Sequence, residues 1–391
     1  MLFIHNTVSL CDHCYRHVPG VVYEHDNKIL MKKHCPEHGD IDSVVELDTD
    51  FYYSLRYTKY SGDQALLTEV TDRCQLECPH CYHLPDNKTI DQSVDYIVEK
   101  IKQLPSDCWP HLAGAEPTLH KDFVNIVEQI KNLDFESFCT LTNGVKFADR
   151  EFAQKSFDAG LKVALLGLNH HSYQGKKIHQ KQLKGLKNML DIGYTIRYVG
   201  YTLESLEHLP DVLMEISKIH HPNIKHFRIR CGSFIGRSVD KKRSYLSGLV
   251  AQVQKILKSS VSIDNADNNP YHVMMNWNKT SSANHSNIRL RLIQWPDVSN
   301  IDLEELTCGP WANFNNGPVT NFVHQVITRD AHINMKLPQL DLAPIKYQYL
   351  QHPPYWKDQW SGPVPFDTFQ FEWPSDRPQP VKSYFPIQSQ R

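Results

Sequence analysis

The sequence predicts an α/β protein: a partial (β/α)6 barrel of the TIM-like kind, preceded by a small metal-binding ribbon and followed by an irregular C-terminal extension. Three observations carry this. From Ala65 the chain repeats a strand, loop, helix unit six times. Its odd polar and glycine-rich clusters fall at the carboxyl ends of those strands, where the loops of such folds converge and chemistry collects. Its closely spaced cysteines stand ahead of the repeat and at its first turn. The expected divisions are a ribbon over 1–60, the barrel over 61–240 and a substrate-covering extension over 241–391.

In the first segment, V-V-Y-E-H-D-N-K-I-L-M reads as two short strands around an Asp-Asn turn. The barrel opens with A-L-L-T-E-V-T, and Val94, Ile97, Val98, Ile101 and Leu104 then recur at helical spacing. A second strand near Cys108 to Ala113 ends in Gly114-Ala115-Glu116-Pro117, followed by a helix with Phe123, Ile126, Val127, Ile130 and Leu133. The third strand, F-C-T-L, ends in Thr142-Asn143-Gly144, and the fourth, K-V-A-L-L-G-L, ends at Asn169. A helix through Leu183, Leu186, Met189 and Leu190 closes on Gly193, as a left-handed cap would. The fifth strand, Y-T-I-R-Y-V-G-Y-T-L, leads to a helix from Val212 to Ile219, and the sixth, H-F-R-I-R-C-G, ends near Gly232. Arg228 and Arg230 alternate with Phe227 and Ile229 there, which turns both arginines to one face. Past Gly236 a helix over Leu246 to Leu257 is followed by a polar loop, S-S-V-S-I-D-N-A-D-N-N-P, and then by strand-rich or irregular chain. Six of the seven tryptophans lie beyond residue 270, a density that lines a substrate cavity or bolts the tail to the barrel.

Composition narrows the function. A formal net charge of -2 over 391 residues gives no sign of a nucleic-acid partner. No apolar run approaches a membrane span and no signal pattern opens the chain, so a cytoplasmic protein is expected. In a reducing compartment, closely spaced cysteines read as metal ligands. Cys108, Cys139 and Cys231 sit in apolar runs as small buried residues, and Cys308 stands alone. Cys11-Asp-His-Cys14 facing Cys35-Pro-Glu-His38 supplies a closed tetrahedral set for zinc or a rubredoxin-like iron, with His13 or His34 as alternatives to His38.

Cys74, Cys78 and Cys81 form C-x3-C-x2-C, three ligands on one loop. On an iron-sulfur cubane three cysteines leave one iron open, whereas a zinc knuckle would be completed by His80 or His83. The C-x3-C-x2-C loop resembles the radical SAM superfamily. The ribbon, C-x2-C followed by C-P-E-H-G, is similar to the group that holds tetraether lipid synthase and pterin C-methyltransferase. This resemblance implies a 4Fe-4S cluster on Cys74, Cys78 and Cys81, with His80 in the position before the third cysteine that the family fills with an aromatic. It implies that S-adenosylmethionine (SAM) binds through Gly114, Ala115, Glu116, Asn143, Asn169 and Arg230, with Glu116 on the amino group. Ala115 replaces the family's second glycine. Gly200 and Glu204 are further candidates, and the pair His170-His171 stands at the barrel mouth.

The implied activity is reductive cleavage of SAM to start C-methylation, or formation of a carbon-carbon or carbon-heteroatom bond, on a small-molecule or lipid-like substrate. A one-electron donor such as flavodoxin or ferredoxin would supply the electron. Two other readings stay open: transfer of SAM's 3-amino-3-carboxypropyl group, which releases methylthioadenosine, and a non-catalytic zinc or iron-sulfur binding module. The tail lacks the paired cysteines of an auxiliary cluster, and no separate cobalamin-binding domain is expected.

Overall fold

The computed structural model describes residues 1–302 apart from 14–16, 57–64, 80, 82–84, 86, 105, 107–108, 233–243, 270–271, 281–284 and 295–298. Cys14, His80, His83, Cys108, Cys308 and the tryptophan-rich tail lie outside the described residues. The chain divides into two compact units, Met1–Lys59 with Pro296–Arg391, and Tyr60–Trp295.

The first unit is a four-stranded antiparallel sheet in the order β1 (Leu2–Leu10), β2 (His17–His25), β3 (Lys28–Cys35), β4 (Gly39–Glu46), with helix α1 (Thr49–Arg56) after it. Asp26 and Asn27 both take positive φ, 49° and 57°, the twist a two-residue hairpin turn demands. Ile4, Val22, Ile29 and Met31 pack with Tyr52 of α1 into its core. Residues 299–302 return to this sheet: Asp302 accepts bonds from Thr7 Oγ1 at 2.5 Å and from His5 Nε2 at 2.6 Å. Lys33, wholly buried, donates to the carbonyls of Leu10 and Ser299, each at 2.9 Å, and to Asp12. A buried ammonium survives only with such partners; here they brace both sides of Cys11.

The second unit holds β5 (Ala65–Thr71), α2 (Val94–Lys102), β6 (Trp109–Gly114), α3 (Phe123–Lys131), β7 (Cys139–Thr142), α4 (Arg150–Ala159), β8 (Val163–Gly167), α5 (Lys176–Ile192), β9 (Thr195–Leu203), α6 (Leu209–Ile219) and β10 (Ile224–Cys231). After them come α7 (Leu246–Leu257), β11 (Val261–Asn269), β12 (His272–Thr280) and β13 (His285–Ile293). One nine-stranded sheet runs β11-β12-β13-β10-β9-β8-β7-β6-β5, with β5 to β10 parallel in chain order. The expected six-strand parallel array is therefore present as an open sheet. β13 joins β10 in parallel, and β12 and β11 follow antiparallel.

After 240 the helix expected over Leu246 to Leu257 is present, and the strand-rich chain expected beyond it is regular up to Ile293. Residues 246–293 form one helix and three strands that widen the barrel sheet. The stretch read as a polar loop is mostly β11, an edge strand bonded only to β12, and an edge position tolerates the polar run that disguised it. No helix among the described residues is long and apolar enough to cross a membrane.

Close backbone contact fixes where α5 lies. A Cβ on Gly185 would stand 2.2 Å from the carbonyl oxygen of Gly144, in the loop after β7. Gly185→Ala should destabilise the Tyr60–Trp295 unit by about 1–3 kcal/mol, the usual cost of overpacking. Gly248→Ala in α7, where nothing lies within 4 Å of the added carbon, should be neutral or slightly stabilising. Denaturation midpoints of the two variants test this, and an undisturbed Gly185→Ala would break the proposed α5 contact.

Candidate active site

The loops after β5 and β6 are joined backbone to backbone. Ala115 N–H donates to Thr71 O and Glu116 N–H to Arg73 O, both at 3.0 Å. Gly114 makes this approach possible, with φ at 116° and a Cβ position only 2.4 Å from Thr71 O. Ala115, the departure from a double glycine, keeps its backbone bond and lines the cavity below. Arg73 donates through Nε and Nη2 to Asp91 and through Nη2 to Leu119 O at 2.9 Å, while Thr71 Oγ1 adds a 2.6 Å bond to Asp91. Burial opposes the Asp91 charge, but the bonds from Arg73 and Thr71 outweigh it and hold the carboxyl below its usual range.

This frame presents the three cysteines. Cys74 is buried, and Cys78 and Cys81 are half-buried on the cavity wall. Amide groups point at the sulfurs: Leu76 N–H lies 3.4 Å from Cys74 Sγ, Asn143 Nδ2 3.7 Å from the same atom, and Gln174 Nε2 2.6 Å from Cys78 Sγ. Such donors suit metal-bound thiolates. Burial pushes the Cys74 thiol up to about 11, so a metal must displace its proton on binding. Among the described residues the one group of ligand atoms gathered within 4.8 Å is Cys11, Cys35 and His38. The sulfurs of Cys74, Cys78 and Cys81 spread wider than that, whereas a single tetrahedral zinc at about 2.3 Å from each sulfur needs them about 3.8 Å apart.

A cavity of about 200 Å³ opens at the carboxyl ends of β6 to β10, lined by the half-buried cysteines, Gly114, Ala115, Leu141, Thr142, Asn143, Leu165, Gly167, Asn169, Tyr198, Gly200, Tyr201, Thr202, Arg228 and Arg230. Asn143 accepts at Oδ1 from Gln75 Nε2 (3.2 Å) and from Val145 N–H (3.0 Å). Asn169, left-handed at φ 57°, accepts from Thr202 N–H at 3.0 Å, and Arg230 donates to Thr202 Oγ1 at 3.2 Å. Glu116 differs from these. It is 1% exposed, is not among the lining residues, and spends its carboxylate inside the protein. Oε1 accepts from Thr118 N–H, Thr118 Oγ1 and Thr142 Oγ1, and Oε2 from Asn143 N–H at 2.7 Å.

Sequence reasoning did not single out Gln75, Gln174, Gln182 or Tyr198. Gln182, 1% exposed, donates to Asn143 O at 2.8 Å and Gly167 O at 3.1 Å, tying α5 to two strand ends. A polar residue at a helix position otherwise spaced for burial was its only signal. His170 stacks against His171 and His208, at 4.1 and 4.5 Å between ring centroids, and neither His170 nor His171 lines the cavity.

In the ribbon unit His38 Nδ1 stands 3.6 Å from Cys11 Sγ and 3.4 Å from Cys35 Sγ. Burial raises the Cys35 thiol, but hydrogen bonds from His38 and the nearby backbone bring it down to about 7. His34 is engaged instead by Asp40 at 2.6 Å, and the His13 ring centroid lies 5.0 Å from that of His38.

Residues 3–46 match the HMPTM N-terminal zinc ribbon domain, and residues 68–216 match the radical SAM superfamily. The chain is 25% identical over 226 residues to 7,8-dihydro-6-hydroxymethylpterin dimethyltransferase of Methanocaldococcus jannaschii, covering 48% of this chain and 45% of that one. It is 28% identical over 173 residues to a probable GTP 3',8-cyclase of the same organism, covering 38% and 54%. Among solved structures, SuiB of Streptococcus suis bound to precursor peptide SuiA aligns over 64% of this chain and 69% of that one, at 13% identity and a TM-score of 0.39. The chain thus spans about half the length of these two curated relatives. The chain thus carries an N-terminal zinc ribbon domain ahead of a radical SAM domain, and the latter implies a 4Fe-4S cluster and SAM.

Proposed function

We propose that the protein reductively cleaves SAM at a 4Fe-4S cluster held by Cys74, Cys78 and Cys81, and directs the resulting radical to C-methylation or another carbon-bond-forming reaction on a small-molecule or lipid-like substrate. The observation that carries this is the placement of Cys78 and Cys81 on the wall of a cavity where the parallel strands end, with Cys74 buried on the same loop and amide donors aimed at two of the three sulfurs. The similarity to a pterin dimethyltransferase supports methyl transfer. When bound, the cluster supplies the electron that breaks the sulfonium bond. The chain's own contribution is placement: Asn143, Asn169 and Arg230 offer polar groups to SAM from the lining, Ala115 offers backbone, and Gly167 and Gly200 keep room between them. Glu116 acts through Asn143 by fixing its backbone. In the ribbon, Cys11, Cys14, Cys35 and His38 hold zinc or iron. The electron comes from a small donor protein of the flavodoxin or ferredoxin kind.

Anaerobic reconstitution followed by SAM and a strong reductant should yield 5'-deoxyadenosine, identified by mass spectrometry. Methylthioadenosine in its place would mean that the aminocarboxypropyl group is transferred, and a colourless protein that holds zinc alone would leave only the binding-module reading. Cys78→Ala should remove about four irons and leave the ribbon metal bound.

Gln174→Leu should keep the cluster but lower its midpoint potential, because an N–H···S bond stabilises the more negative, reduced state. The shift should be about 40 mV, the one-electron equivalent of about 1 kcal/mol. Potentiometric EPR measures it, and an unchanged potential would show that the amide does not reach the sulfur in the loaded protein.

A further inference from the structure

One loop serves the cavity and the cysteines together. Between β8 and α5, Asn169 lines the cavity and Gln174 reaches Cys78 Sγ. The residues between them do not line it, and imidazoles hold them in place. His170, 7% exposed, stacks on His171 of the same loop at 4.1 Å between ring centroids and on His208, in the turn ahead of α6, at 4.5 Å. Its Nδ1 accepts from Ser172 N–H at 3.3 Å and lies 2.7 Å from Ser172 Oγ. The proton of the neutral ring therefore sits on Nε2. That nitrogen is buried and has no hydrogen-bond partner among the described residues; Asp211 Oδ2 stands 3.7 Å away.

The stack is poorly placed to carry charge. A proton added to His170 would be buried, and it would repel any proton on His171 or His208. From α6, Asp211 and Glu215 favour the charged ring, but the Asp211 side chain is 60% exposed and Glu215 is occupied by Tyr201 OH at 2.7 Å and by His179 of α5 at 2.6 Å. Burial first, then His171 and His208, outweigh the two carboxylates and hold His170 below its ordinary range. In water the ring would protonate at about 6.5. The released loop thus takes up a proton that the packed loop refuses, and acid favours release.

We propose that the stacked imidazoles of His171, His170 and His208 form an acid-sensitive latch: at neutral pH they hold the loop between β8 and α5 with Asn169 on the cavity and Gln174 on Cys78, and protonation of the stack releases it. This rests on the radical SAM reading above and adds its regulation. Release acts on two parts of the site at once. Gln174 withdraws an N–H from a cysteine sulfur, and Asn169 gives up its bond from Thr202 N–H at the cavity wall. Acid therefore lowers the cluster potential and loosens the SAM pocket together.

Hydrogen exchange over residues 169–175 of the full chain, between pH 7.5 and 5.5 and corrected for the intrinsic pH dependence of exchange, reads release whether or not a cluster is bound. The amides of Ser172, Tyr173 and Gly175 are bonded within the loop. They should lose protection below about pH 6.5, by up to about tenfold per pH unit, the limit for uptake of one proton. In His170→Asn, whose side-chain oxygen can still accept from the amide two residues on, protection should not vary with pH. His208→Phe keeps a ring against His170 without its charge, and should move the loss to lower pH. In the reconstituted chain the cluster potential, followed by EPR, should fall over the same range toward that of Gln174→Leu, which itself should stay level. Protection that persists to pH 5.5 overturns the proposal. An equal loss in His170→Asn overturns it too, as does a cluster potential that ignores pH while the loop is released. Failure to assemble a cluster or to form 5'-deoxyadenosine counts against the radical chemistry alone, because the exchange result stands without either.

Discussion

The buried carboxylate of Glu116 is the constraint on which the geometry of the cavity depends. Burial raises its pKa, and the bonds it accepts from Asn143, Thr118 and Thr142 pull the other way. Those bonds come from the loops after β6 and β7, so one side chain joins two strand ends. What it fixes is then passed on. Asn143, with its backbone held by Glu116, turns Nδ2 toward Cys74 Sγ and gives its carbonyl to Gln182 of α5. The contact of Gly185 with Gly144 closes the same joint from the helix side. Cysteine, cavity wall and helix are positioned by one network, and a buried network of this kind is rigid only while every member is satisfied.

The two cysteine groups differ in how they are held. In the ribbon unit Cys11, Cys35 and His38 come together at single-ion spacing, because β3 and β4 meet at the Cys35 to Gly39 pair while Lys33 anchors the chain on either side of Cys11. Ligands drawn from separate strands suit a site that serves the fold. The other three cysteines share one loop with wider spacing, and two of them face a cavity. A loop that presents its thiols from one side of a cavity leaves the opposite side open.

Much of this was legible in the chain. Six apolar strands, the Asp26-Asn27 turn and the Gly193 cap, observed at φ 110°, follow from local pattern and backbone freedom. Helix α4 left little trace, since its buried positions are Ala153, Ser156 and Ala159, too small for a hydrophobic stripe. The ribbon read as two strands has four, because β1 and β4 pair through long-range register. The site divides the same way. Three cysteines and the Gly114 turn announce themselves by spacing, whereas Gln174 meets Cys78 across 96 residues and Asp302 meets Thr7 across 295, separations that no local pattern encodes.

Charge shows most clearly why composition misleads. A net charge of -2 describes a nearly neutral protein, and it is an average over surfaces that never meet. Strand alternation sorts side chains by face, and register then sums them across neighbours. Arg228 and Arg230 on β10 and Arg289 and Arg291 on β13 are each separated by one residue, so pairing Arg228 with Arg291 gathers alternating arginines from two strands. Packing like charges together costs energy unless an opposite charge answers them. Asp264 of β11 answers Arg289 at 3.7 Å. The widened sheet thus does more than cover the barrel: through β13 it sets Arg289 and Arg291 beside the arginines of β10.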